Sequence, residues 1–132
     1  MKSALLFAAV LLVYAVCDLL FINFFAQAFI QRQVGPLLAP QPDLKAAGLF
    51  YLIFTFCLLY LCILPAGSDA GKAALNGAVA GLLAYGTYEL VNKALIRDWP
   101  YTLVLVDMVW GVFVGALTCW AGAKIKTVWL GI

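Results

Sequence analysis

The sequence predicts an all-α integral membrane protein, a bundle of four transmembrane helices arranged as antiparallel up-down hairpins. Three observations carry that prediction. Of 132 residues, 67% are hydrophobic and only 11% are charged, against roughly 25% charged in a soluble domain. With a mean hydropathy of +1.07, the chain lacks the polar groups to cover a surface in water. Its apolar residues gather into stretches near the ~20 residues a transmembrane helix needs, and none alternates with the period of two of a barrel strand.

The first stretch runs from about Ser3 to Phe25. Met1-Lys2 would suit a secretory signal, and Tyr14-Ala15-Val16-Cys17 faintly resembles a lipoprotein cleavage site. Val16 is not the small residue such a site requires, and the apolar run outlasts a signal core of about 7–15 residues. The segment is read as a retained helix. Gln27, Gln31 and Gln33 extend it into the interface until Gly35-Pro36, and a proline-rich connector to Asp43 lies across one face of the bundle. The second helix covers about 44–64 and stops at Pro65-Ala66-Gly67-Ser68-Asp69. The third covers about 73–96 and stops at Arg97-Asp98-Trp99-Pro100, and the fourth covers about 101–123. Residues 1–132 are thus expected to form one transmembrane domain, with Trp99, Trp120 and Trp129 as interfacial anchors.

Charge narrows the function classes. A net charge of +2 without a basic run excludes nucleic acid as a partner; the expected partner is the lipid bilayer. Four spans put both termini on one face with Lys2, Lys72, Lys124 and Lys126, leaving Arg32, Lys45, Lys93 and Arg97 on the other. This balance gives the positive-inside rule almost nothing to act on. The Lys124/Lys126 tail favours cytoplasmic termini in a bacterial inner membrane, and the balance leaves an antiparallel homodimer open.

Asp18, Glu89 and Asp107 lie inside the spans, where a carboxylate costs about 2.5–3.5 kcal/mol or more on insertion scales. At about 1.5 Å per residue, Asp18 and Glu89 fall roughly 6–8 Å past their helix midpoints. Asp107 falls a similar distance before the midpoint of its own, oppositely directed helix. One layer results, nearer the Arg32/Lys93/Arg97 face, and Tyr51 reaches it from the second helix. On the third helix Gly77, Gly81, Tyr85 and Glu89 recur every fourth residue, with Asn92 following. On the fourth, Asp107, Gly111, Gly115, Thr118 and Gly122 recur at steps of three or four, which puts each set on one face. Gly77, Gly81, Gly111 and Gly115 are therefore expected to bring these two helices together, and to do so whether or not the layer has chemistry. Trp110, one turn from Asp107, needs a partner for its indole N–H.

A weaker echo relates Tyr14-Ala15-Val16-Cys17-Asp18-Leu19 to Tyr85-Gly86-Thr87-Tyr88-Glu89-Leu90. Each places a tyrosine one turn before an acid, where its hydroxyl could approach the carboxyl group. The ordered set Ala84-Tyr85-Gly86-Thr87-Tyr88-Glu89-Leu90, Asn92, Trp99-Pro100 and Asp107 with Trp110-Gly111 resembles the bacterial family known as domain of unknown function 2177, DUF2177. So do Asp18-Leu19-Leu20, Ala39-Pro40 with Pro42, and Leu49-Phe50-Tyr51. The family pattern commonly has Asp at Glu89, which keeps the charge, and Trp near Phe21, which removes an aromatic N–H from this chain. The resemblance implies a four-helix bacterial membrane protein and no established activity.

Three chemistries suit the acid layer. Three carboxyl groups in low dielectric cannot all stay ionised, so proton or cation handling, with transport or binding of a small or lipid-like ligand, comes first. A lipid-modifying membrane enzyme is the alternative, with Asp18 and Asp107 as acid and base and Trp110, Tyr51 and Asn92 positioning a head group. Third, Lys93, Lys45 or Arg97 could neutralise the acids in a purely structural ion-pair network. The chain has no histidine, hence no Ser-His or Cys-His pair and no zinc-type cluster; no metal and no cofactor are expected, with an oxygen-ligand magnesium or calcium site the one alternative left open. Cys17, Cys57, Cys62 and Cys119 all lie inside spans as apolar filler. Cys62 and Cys119 share one half of the bundle, so a disulfide is open to them, with free thiols the expectation.

Overall fold

A computed structural model describes residues 1–132 as four long helices with no strand. Helix α1 runs Lys2–Leu37, α2 Leu44–Ile63, α3 Ala70–Leu95 and α4 Tyr101–Trp129. Helices α1, α2 and α4 are each long and apolar enough to cross a membrane. Helix α3 has the length, at 26 residues, but is diluted by its glycines, Asn76 and Glu89. It nonetheless follows the same course as α4, because the two are locked together along their glycine faces.

Two helices outrun their apolar spans, α1 as its glutamines suggest and α4 beyond expectation. Helix α1 continues from Phe25 to Leu37 through a π-helical turn at Ile22–Ala26 and ends in a 3-10 turn at Gly35–Leu37. Hydrophobicity stops before the helix does, since nothing between Phe25 and Gly35 breaks it and Pro36 is the first residue without an N–H to donate. At 36 residues the helix is about 54 Å long, well beyond the ~30 Å hydrocarbon layer. The connector reduces to residues 38–43. Helix α4 likewise passes residue 123 and closes with a π-helical turn at Ile125–Trp129.

The helix starts are set locally. Asp43 Oδ1 accepts from the backbone N–H of Lys45 at 3.1 Å and of Ala46 at 3.2 Å, capping α2. Asp69 Oδ1 accepts from Lys72 N at 3.0 Å and caps α3. Each satisfies amides that a helix N-terminus leaves without partners. The α3–α4 turn carries Asp98 at φ 63°, a left-handed conformation that Asp tolerates better than most residues, and this reverses the chain before Pro100.

Helices α3 and α4 touch backbone to backbone. A Cβ at Gly81 would overlap the Gly111 carbonyl, and one at Gly115 the Gly77 carbonyl; only hydrogen atoms fit in this seam. Further along α4, a Cβ at Gly122 would stand 2.6 Å from Ile63 Cδ1 and 3.0 Å from Val10 Cγ2, so the same helix also receives α1 and α2. The core is continuous through Leu6, Val10, Tyr14, Leu58, Ile63, Val114 and Cys119. Large apolar side chains such as Leu12, Leu61, Leu83, Leu105 and Val109 cover the outside, a surface suited to lipid. All four thiols are free, with Cys62 and Cys119 buried side by side.

Helix α2 is set differently from the others. It packs closely on α3 only through its last turn, Leu59–Ile63, while its longer part leans on α1. Towards its N-terminus α2 therefore diverges from α3, and the bundle opens on the side of the Arg32/Lys45/Lys93 face.

Candidate functional site

The opening holds a cavity of about 470 Å³ lined by 14 residues from all four helices, 12 of them hydrophobic. That volume is ordinary for a small-molecule site. The two charged residues in its wall are Asp18 and Asp107; the wall contains no lysine or arginine. Seven rings complete it, from Tyr14, Phe21, Phe50, Tyr51, Tyr85, Tyr88 and Trp110. The π-helical turn of α1 contributes Ile22 and Ala26, an irregularity of the kind often found at functional sites.

Asp18 is 8% exposed and both its oxygens are engaged. Tyr51 Oη donates to Oδ2, and Trp110 Nε1 donates to Oδ1 at 3.4 Å. Phe21 stacks on Trp110, with ring centroids 4.1 Å apart and planes 6° from parallel, which holds the indole edge towards Asp18. The Tyr14 and Tyr85 hydroxyls share a hydrogen bond of 2.5 Å at the inner end of the cavity. Tyr85 is seated on Gly111, where an added Cβ would lie 2.6 Å from the tyrosine Cβ; the glycine seam thus also positions a ring of the site.

Asp107 faces the cavity, and the Glu89 carboxyl group lies beside it, outside the cavity wall. Two neighbouring carboxyl groups in low dielectric disfavour double ionisation. Glu89 is 1% exposed and accepts from Trp99 Nε1 at 2.9 Å. Cavity, Asp107, Glu89 and Trp99 therefore form one chain running towards the α3–α4 turn.

The partners differ from those expected. The tyrosine–acid echo pairs each hydroxyl across helices instead of along its own: Tyr14 meets Tyr85, and Asp18 takes Tyr51. Trp110 donates to Asp18, not to Asp107 one turn away. Asn92 does not line the cavity but meets the Tyr88 side chain. Trp99 is 7% exposed and so is no surface anchor. Lys93 lies over the Tyr101 ring, 4.3 Å from its centroid, and leaves Glu89 to Trp99. Neither Lys45 nor Arg97 forms an ion pair with the acids, whose partners are the groups above. No group of three or more His, Cys, Asp or Glu side chains converges as a metal cluster.

Sequence reading missed Trp99, Phe50 and Tyr88. The signal for Trp99 was the sharp turn at Asp98, which folds the next residue back onto the end of α3.

Long apolar helices with a lipid-suited exterior define a polytopic integral membrane protein. The chain matches the family model described as predicted membrane protein (DUF2177) over residues 3–124, nearly its whole length, and belongs to that family. Neither the curated proteins nor the solved structures yielded a match.

Proposed function

We propose that the cavity binds a small or lipid-like ligand in a proton- or cation-linked cycle of binding or transport. The ligand sits beside Asp18 and Asp107, and the Asp107–Glu89 pair takes up or releases a proton as it arrives and leaves. One observation carries this reading: two carboxyl groups stand in the wall of an aromatic cavity that contains no cationic side chain. Intramembrane acids are costly unless paired or functional, and a structural ion-pair network would need the lysines that here lie elsewhere. The three carboxyl groups divide into two stations. Asp18 is held by neutral donors, whereas Asp107 and Glu89 lie beside each other. The membrane is the bacterial cytoplasmic membrane, with both termini in the cytoplasm and the cavity mouth in the opposite half.

The test is flux in liposomes loaded with a pH-sensitive dye under an imposed pH gradient. The wild-type protein carries a proton or cation flux, and Asp107→Asn abolishes it without loss of fold. Flux that is unchanged in Asp107→Asn, or amide replacements at all three acids that alter stability alone, would overturn the reading.

A further inference from the structure

Taking the cavity as a ligand site, as above, we infer that its ligand is a lipophilic cation, an ammonium group carrying an apolar tail, which enters sideways from the bilayer between α2 and α3. Charge comes first. Asp18 and Asp107 face a space with no basic residue in its wall, so an anionic guest would meet uncompensated repulsion in low dielectric. Rings of Tyr51, Tyr85 and Trp110 stand around the same space, and aromatic faces attract a desolvated ammonium, which is how many sites recognise quaternary amines. The two sets of groups are complementary to one chemistry, a positive centre too weakly hydrated to need water.

The shape of the opening assigns the tail. Helix α2 reaches α3 closely only at Leu59–Ile63, and Phe54 closes the gap above that turn through its edge contact with Tyr85, centroids 6.0 Å apart. Beyond Phe54 the helices part. Ala47 and Phe50 on α2 and Tyr88 on α3 all line the cavity and are all exposed, Phe50 by 41% and Tyr88 by 57%. The mouth therefore has apolar lips at a depth occupied by acyl chains. A cation without a tail would leave this part of the site unfilled.

Two sources could supply such a group, an amine lipid headgroup or a free amphipathic amine, and the experiment separates them. Protein in phosphatidylglycerol nanodiscs is titrated calorimetrically with hexyltrimethylammonium, hexanol and hexanesulfonate. Saturable binding of the ammonium alone is expected, weakened about tenfold or more by Asp18→Asn, as when the Coulombic attraction of an opposite charge in low dielectric is lost. Because Asp18 also holds Tyr51 and Trp110, a second variant tests the mouth. Ala47→Trp, on an exposed position, should erase the preference for hexyltrimethylammonium over tetramethylammonium. In nanodiscs containing phosphatidylethanolamine, native mass spectrometry that finds this lipid retained over phosphatidylglycerol supports the headgroup source. Binding of the free ammonium with no retained lipid supports the other source. Equal binding of hexanol or hexanesulfonate overturns the cation class while leaving a ligand cavity in place. No binding of any probe, with Asp107-dependent flux intact, overturns this inference and spares the proton-linked reading; no binding and no such flux overturns both.

Discussion

Replacing Gly81 by alanine should separate the two central helices. The new Cβ would overlap the Gly111 carbonyl and stand 3.3 Å from Val112 N. Both obstacles are backbone within a helix, so no side chain can rotate away. Helices α3 and α4 must move apart until contacts return to about 3.5–4.0 Å, and that movement also loosens the Gly77–Gly115 contact on the same seam. Overpacking of this kind costs typically about 1–3 kcal/mol, and two coupled contacts place Gly81→Ala near the upper end. Two other glycines serve as controls. Gly48 has nothing within 4 Å, and at Gly86 a Cβ would meet only side-chain ends, Met108 Cε at 3.4 Å and Leu82 Cδ1 at 3.9 Å. There alanine should be neutral or stabilising by up to about 1 kcal/mol, through helix propensity. Denaturant titration of detergent-solubilised protein, followed by helical circular dichroism, measures all three. Equal stabilities for Gly81→Ala and Gly48→Ala would refute backbone-level packing of α3 on α4.

Other consequences follow from the site. Trp99→Phe removes the indole donor of a carboxyl group on a residue only 1% exposed and should cost about 1–3 kcal/mol; the same denaturation assay reads it, and an unchanged midpoint would contradict the bond. Tyr14→Phe and Tyr85→Phe break one shared bond, so the double variant should lose little more than either single one, with a coupling of about 1 kcal/mol in a double-mutant cycle. Lys93→Gln, whose wild-type ammonium lies over Tyr101, should cost no more than about 1 kcal/mol and leave Asp107-dependent flux intact. Loss of flux there would mean that Lys93 serves the acids after all.

How far the residues announce all this differs between levels. The spans follow from composition, because no other solvent accommodates such surfaces. That Asp18, Asp107 and Tyr51 meet around one space is anticipated by helix direction and rise alone. The end of α1 was legible in its breakers and not in its hydrophobicity: apolar character stops at Phe25, while the helix continues through Gln27–Val34 to Gly35-Pro36. The hydrogen-bond partners were not legible. Periodicity puts Trp110 and Asp107 on one helix face, but the indole points across to Asp18, and only the packing of Phe21 against it decides that direction. Trp99 follows the same rule: its place beside Glu89 depends on the left-handed turn at Asp98, a feature outside any hydrophobic pattern. The divergence of α2 from α3, which makes the cavity, arises from where two helices happen to touch and leaves no mark on either sequence.

Proton release on ligand binding reports on the proposed cycle at its first step. Purified protein in weakly buffered detergent, with a pH indicator, is mixed with hexyltrimethylammonium. A saturable acidification that tracks binding and disappears in Asp107→Asn is expected, because the proposed cycle displaces a proton from the Asp107–Glu89 pair. Binding without any proton movement, or the same release from Asp107→Asn, would contradict it.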